Sequence, residues 1–256
     1  MKEREYKMEI YKEYEQKSKE VVSFLKRKGI TVIALGLRGS SHFELKTKGS
    51  DLDFTAFVLP TLSNLFFKES TSQSKDVKVS ETISVQTITV QALPLQMAKC
   101  SFNILEFFTK ITYVAEDFKD TLEKLSDFLE KEEMVKIFTK SFYFLGFKQY
   151  KRFTKGVNED VLKAQAKAVL YYRMLTELDE SIPELYKKDS IPVEFKEEFL
   201  SIRLGKVSPK MEEIGKFYEE EKDKYIKIPS STSHELLEEF QSIVSEYILS
   251  VIHKLV

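Results

Sequence analysis

The sequence has one cysteine, no tryptophan and no long apolar run. A single cysteine, Cys100, excludes an internal disulfide bond and is typical of a reducing compartment. The apolar runs fall far short of the ~18–20 residues that span a bilayer, so we expect no membrane partner. Met1 to Glu20 is highly charged and resembles neither a secretory signal nor a transit peptide, which favours a cytoplasmic location.

Charge of one sign is also lacking. Forty Lys and Arg residues balance 41 Asp and Glu residues, and the net charge is −1. No global field therefore favours nucleic acid, and any such contact must depend on a local basic patch.

Apolar spacing divides the chain into a first part with strands and a second part of helices. The pattern predicts a helix over 2–28, strands over 31–37, 52–59 and 77–92, and helical structure over 95–110. Residues 61–75 are ambiguous between a short helix and a polar loop. Further helices are predicted over 115–133, 134–153, 158–179, 192–204, 209–225 and 233–255. We expect an α+β fold, with a small mixed-sheet core over 1–112 and a helical domain over 113–256.

Small residues and acids flank the first two predicted strands. Gly39 and Ser40 follow the first strand, and Asp51 and Asp53 open the second. Residues i and i+2 of a strand point to the same face, so the two carboxylates should converge beside the turn. Two such carboxylates suit Mg2+ that carries substrate phosphates. The plain alternative is a polar strand start after a turn, because short motifs also arise by chance.

This segment resembles the signature of the DNA polymerase β-like nucleotidyltransferase superfamily. Within it, the segment is similar to a phage and bacterial branch, the predicted nucleotidyltransferases of the RNA repair pathway. Arg38, Phe43, Leu45 and Ser50 fit the pattern of that branch, whereas Glu44 stands where the branch usually has glycine.

Three weaker matches extend the resemblance over about residues 30 to 215. Ser101–Glu106 resembles a segment with asparagine and glutamate, although Phe102 replaces its proline. Lys163–Leu175 resembles a helix with basic residues, and Leu200–Ser208 resembles an Ile-Arg-x-Gly-x-x-Ser stretch.

The resemblance implies a nucleotidyltransferase that moves a nucleoside monophosphate from an NTP to a hydroxyl of RNA, a protein or a small molecule. It implies that Asp51 and Asp53 are catalytic and hold Mg2+ or Mn2+. It also implies that Gly39 and Ser40 let the backbone approach the triphosphate and that Arg38 contacts a phosphate. A second metal in such sites activates the attacking hydroxyl.

The third carboxylate of this superfamily is not found at its expected position, which is near Gln86. An amide can coordinate or hydrogen-bond, but it is not a base and brings no charge. Glu81 has the wrong strand parity unless a bulge intervenes, and Asp76 lies roughly 33 Å away along one extended strand. The alternative function is therefore a catalytically weakened protein that binds nucleotide, RNA or another protein as a regulatory module.

Basic residues on two predicted helices are further candidates. Lys163 and Lys167 lie four apart, where the resemblance implies triphosphate contact and the plain alternative is a solvated face. A denser cluster suits either RNA contact or the end of an amphipathic helix. It consists of Phe147, Lys148, Tyr150, Lys151, Arg152, Phe153 and Lys155.

Two single residues complete the set of candidates. His42 lies in the signature loop, where nucleotide contact and loop capping are equally plausible. Glu106 lies in an apolar helical segment, and we interpret it as a structural anchor rather than a site residue.

Overall fold

A computed structural model describes residues 2–39, 45, 51–60, 74–99, 102–156, 161–177 and 191–255. Several residues named above lie outside these ranges: Ser40, His42, Phe43, Glu44, Ser50, Cys100, Ser101 and the segment 61–73. The structures and roles that the sequence predicts for these residues are therefore not tested by the structure.

The described strands form one five-stranded mixed sheet in the order β3-β4-β2-β1-β5. The strands are β1 (Val32–Arg38), β2 (Leu52–Val58), β3 (Ser74–Lys78), β4 (Ile83–Thr89) and β5 (Ile111–Val114). β2 and β4 are parallel, whereas the β1–β2, β1–β5 and β3–β4 pairs are antiparallel. The α+β class and the mixed sheet are thus confirmed.

Side chains alternate between the two faces of this sheet. One face packs against α1 (Lys2–Arg27), where Val21 and Leu25 share a buried cluster with Leu35 and Phe54. The opposite face carries Phe57, which is buried together with the helices that follow. The odd-numbered residues of β2 therefore point to the helical side.

Helix α2 (Leu93–Ala98) and helix α3 (Phe102–Thr109) lead from β4 to β5. α3 lies against β1 at Gly36, where a Cβ would be 2.9 Å from Cδ2 of Phe107 and 3.0 Å from its carbonyl oxygen. The rings of Phe107 and Phe57 meet with centroids 4.0 Å apart. Glycine at position 36 thus allows α3 to approach the sheet closely.

After β5, the described residues are mostly helical. Short 3-10 turns at Glu116–Phe118 and Phe128–Glu130 flank the first of these helices. The helices are α4 (Lys119–Asp127), α5 (Glu132–Thr154), α6 (Val161–Glu177), α7 (Val193–Arg203), α8 (Met211–Glu220), α9 (Lys222–Lys227) and α10 (His234–Leu255). Among the helices described, none is both long and apolar enough to span a bilayer.

Buried tyrosines tie these helices together. Tyr143 of α5 stacks on Tyr225 of α9 with ring centroids 4.3 Å apart. The hydroxyl of Tyr218 donates a 3.0 Å hydrogen bond to the carbonyl oxygen of Ala168. Gly146 leaves the room that the ring of Tyr218 fills. These contacts set the positions of α5, α6 and α8 relative to one another.

One secondary-structure prediction is wrong. The strand predicted over 77–92 is two strands, because the chain bends at 80–82 and β3 folds back on β4. The sequence predicts no strand over 111–114, where β5 pairs with the middle of β1. The boundary proposed near residue 112 therefore falls inside a strand, and the division into two domains stays a prediction.

Candidate functional site

The turn after β1 lies beside the acidic start of β2. Arg38 pairs with Asp53 across the antiparallel strands. Gly39 follows with φ of +69°, a left-handed conformation that favours glycine. A Cβ at Gly39 would lie 3.5 Å from Oδ2 of Asp53. The structure thus brings Gly39 and Asp53 together, as the spacing in the sequence predicts.

Asp51 immediately precedes β2 and is exposed, whereas Asp53 is half-buried. Leu52 and Phe54 belong to the core beneath α1, so Asp53 points to the opposite, helical face. Asp51 precedes it by two residues, the spacing at which extended residues share a face. One carboxylate near solvent and one held in the sheet fit a cation that also contacts a ligand from solution.

Ser84 is a site residue that the sequence interpretation missed. It lies on β4 in register with Asp53, and its hydroxyl donates a 2.5 Å hydrogen bond to Oδ1 of Asp53. The parallel pairing of β2 and β4 makes Ser84 a neighbour of Asp53, and Gln86 follows on the same face two residues later. No local signal in the sequence marks Ser84, because its role depends on strand register.

Gln86 and Asp76 hold the guanidinium of Arg38. Nη1 of Arg38 donates a 3.0 Å hydrogen bond to Oε1 of Gln86, and Nη2 lies 3.6 Å from Oδ1 of Asp76. Asp76 pairs directly with Gln86 across the β3–β4 hairpin, so the separation of roughly 33 Å expected along one strand is wrong. Glu81 lies in the exposed bend of the hairpin rather than on a strand.

Glu106 reaches the site from α3. It is 2% exposed, and its Oε2 accepts a 3.1 Å hydrogen bond from the backbone N–H of Gly39. Burial raises the pKa of Glu106 to about 7, although the Gly39 hydrogen bond and the charges of Lys167 and Arg38 oppose the rise. The charge of Asp53 raises it slightly further. Glu106 therefore anchors the turn and also belongs to the electrostatics of the site.

Lys167 of α6 interacts electrostatically with this carboxyl group. It is half-buried, and burial lowers its pKa, with Lys163, Arg203 and Arg152 lowering it further. Glu106 acts in the opposite direction. Lys167 is thus one of several cations that α5, α6 and α7 bring near the Glu106 end of the sheet. The solvated-face alternative does not describe Lys167.

The donor set fits a hard divalent cation. Asp51 and Asp53 offer carboxylate oxygens, and the half-buried Asp53 is oriented by Ser84 through Oδ1. Mg2+ in proteins is commonly held by one or two carboxylates and by substrate phosphates. Among the residues that the structure describes, no three Asp, Glu, His or Cys side chains come together as a metal cluster.

The basic and aromatic cluster at the end of α5 fits the amphipathic alternative. Nζ of Lys151 lies 2.5 Å from Oε1 of Glu219 on α8 and above the rings of Phe147 and Tyr150. Tyr150 packs against Gly215. These rings serve helix packing, as the amphipathic alternative predicts, and RNA contact at this cluster stays a prediction.

No protein-family model and no curated protein matches the chain. Among solved structures, it is similar to a nucleotidyltransferase-like protein from Exiguobacterium sibiricum 255-15. That similarity covers 92% of this chain and 74% of the other, at 13% identity and with a TM-score of 0.31. A TM-score this low does not establish a shared fold.

Proposed function

We propose that the chain is a nucleotidyltransferase that depends on Mg2+ or Mn2+ and uses an NTP. The contact between Asp53 and the left-handed turn at Gly39 carries this proposal. A glycine turn lets phosphate oxygens approach the backbone, and a carboxylate beside it holds the cation that those oxygens share. The resemblance of residues 30–59 to the DNA polymerase β-like superfamily supports the same assignment.

The reaction joins an acceptor hydroxyl oxygen to the α-phosphorus of the NTP. The bond from that phosphorus to pyrophosphate breaks, pyrophosphate leaves, and the hydroxyl proton passes to solvent. Asp51 and Asp53 would hold the divalent cation, which neutralises phosphate charge when it is bound. Lys163 and Lys167 supply positive charge from α6, and Gly39 gives the triphosphate room. The acceptor is a hydroxyl of RNA, a protein or a small molecule.

A second candidate function is nucleotide binding without transfer. The neutral side chains of Ser84 and Gln86 favour it, because they lie on the strand where the superfamily carries its third carboxylate. Such a protein would keep the pocket and act as a regulatory module.

Isothermal titration of each NTP with Mg2+ tests the proposal, followed by an assay of pyrophosphate release. The wild type is compared with Asp51→Ala/Asp53→Ala and with Asp120→Asn, a control at an exposed position on α4. We expect metal-dependent binding and turnover in the wild type and the control only. Binding without turnover for any acceptor class would favour the regulatory module. Binding that survives in the double variant would contradict a nucleotide site that depends on a cation held by Asp51 and Asp53.

A further inference from the structure

The strand beside Asp53 offers a hydroxyl and an amide to the site. Ser84 and Gln86 lie on β4 next to Asp53 and Thr55 of β2, on the helical side of the sheet. Sites that bind two divalent ions place them about 3.5–4 Å apart, where they clamp the attacking and leaving oxygens. Neither Ser84 nor Gln86 brings the negative charge that would offset a second ion.

Asp53 itself is constrained by the same strand. The Ser84 hydroxyl donates its hydrogen bond to Oδ1 of Asp53, while Oδ2 faces the Gly39 turn. A carboxylate that bridges two ions must give an oxygen to each. Because Oδ1 accepts the hydrogen bond from Ser84, Oδ2 is the oxygen that Asp53 offers most freely to an ion.

A permanent positive charge already lies on this face. The guanidinium of Arg38 projects from β1 opposite Asp53, and its side chain is 20% exposed. Gln86 and Asp76 hold it in place at 3.0 Å and 3.6 Å. A guanidinium stays charged at any working pH, and it supplies positive charge beside Asp53 from a fixed position.

We propose that the Asp51–Asp53 site takes one divalent cation with the nucleotide, and that the Arg38 guanidinium supplies the second positive charge beside it. This inference rests on the proposed function, because it concerns the same site. It differs in what it predicts: the number of bound ions, rather than whether nucleotide binds. Gln86 then contributes to the site, since its amide oxygen orients the Arg38 guanidinium.

Counting bound Mn2+ by electron paramagnetic resonance tests the ion number. The full chain is mixed with an equal amount of a non-hydrolysable NTP analogue, and Mn2+ is titrated in. We expect one bound ion per complex for the wild type and for Ser84→Asn, a neutral control of similar size to aspartate. We expect two for Ser84→Asp, because its carboxylate supplies the missing charge next to Asp53. Gln86→Glu repeats the test if Ser84→Asp does not fold.

Two ions in the wild type would overturn the inference and leave the proposed function standing. A count that stays at one in the folded acidic variant would also overturn it, since the side chain on β4 would then not set the number. If the wild type binds no nucleotide with Mn2+, the proposed function fails and the inference fails with it.

Arg38 is tested separately through affinity. Arg38→Met should weaken binding of the Mn2+–nucleotide complex about tenfold, while the ion count stays at one. Arg38→Lys keeps the charge and should recover part of the loss. Equal affinity in Arg38→Met and wild type would show that the guanidinium does not serve the nucleotide.

Discussion

The backbone N–H of Gly39 donates a 3.1 Å hydrogen bond to Oε2 of Glu106, a buried carboxyl on a helix far along the chain. This bond joins the turn beside Asp53 to α3, which lies close on β1 because position 36 is glycine. The geometry of the site and the packing of α3 on the sheet are therefore coupled.

Replacement of Glu106 should change how stability depends on pH. Its pKa is raised to about 7 in the folded chain, so the folded state keeps a proton that the unfolded state releases above about pH 4.5. The wild type should lose stability relative to Glu106→Gln as pH rises from about 4.5 to about 7, by about 3 kcal/mol at most. Urea unfolding of both proteins across this pH range measures the difference in unfolding free energy. A difference that does not change with pH would contradict the prediction.

Substitution of Gly39 should affect both folding and binding. At φ of +69° an alanine is strained by about 1 kcal/mol, and its Cβ would lie beside Asp53. Gly29→Ala is a matched control, because Gly29 has φ of +74° and open space around it, at the other end of β1. Thermal unfolding should show similar losses in both, whereas titration should show weaker nucleotide binding in Gly39→Ala alone. Equal nucleotide affinity in Gly39→Ala and Gly29→Ala would show that the Gly39 turn does not take part in nucleotide binding.

Loss of the α6 cations should weaken nucleotide binding. Lys163→Met and Lys167→Met should each lower NTP affinity about tenfold, since each removes a charge that can face phosphate. Lys19→Met is the control, because Lys19 pairs with Glu15 on α1, which covers the opposite face of the sheet. Titrations at low and high salt measure the change, and identical behaviour of all three variants would contradict it.

Adding a methyl group at position 36 should separate α3 from the sheet. Gly36→Ala places a Cβ within 3.0 Å of the Phe107 side chain and carbonyl oxygen, and should cost about 1–3 kcal/mol. Because α3 carries Glu106, nucleotide affinity should fall as well. Adding Phe107→Leu relieves the clash with the side chain but not the clash with the backbone oxygen. The double variant should therefore recover only part of the lost stability. Denaturant unfolding measures the stability, and titration measures the nucleotide affinity. Wild-type stability in Gly36→Ala would contradict the close packing of α3 on β1.

The sequence predicts local features of the site better than its long-range ones. Gly39 and Asp53 are brought together by two adjacent strands, so their spacing suffices. Ser84 and Asp76 belong to the site because of strand register, which the sequence does not show. The bend at 80–82 is also unmarked, since it has no glycine, proline or asparagine. The sequence predicts Glu106 as a structural anchor, but a carboxyl in an apolar helix does not show what it anchors until the position of α3 is known.

The position of β5 affects the order in which the chain can assemble. β1 lies between β2 and β5, yet Ile111–Val114 follows every other described strand during synthesis. Until it emerges, one side of β1 presents open amide and carbonyl groups, and long-range pairing of this kind is slow. A fragment that ends before Ile111 would keep that edge open and should self-associate. β1 therefore gains its last neighbour only after α3, which carries Glu106, has been synthesised.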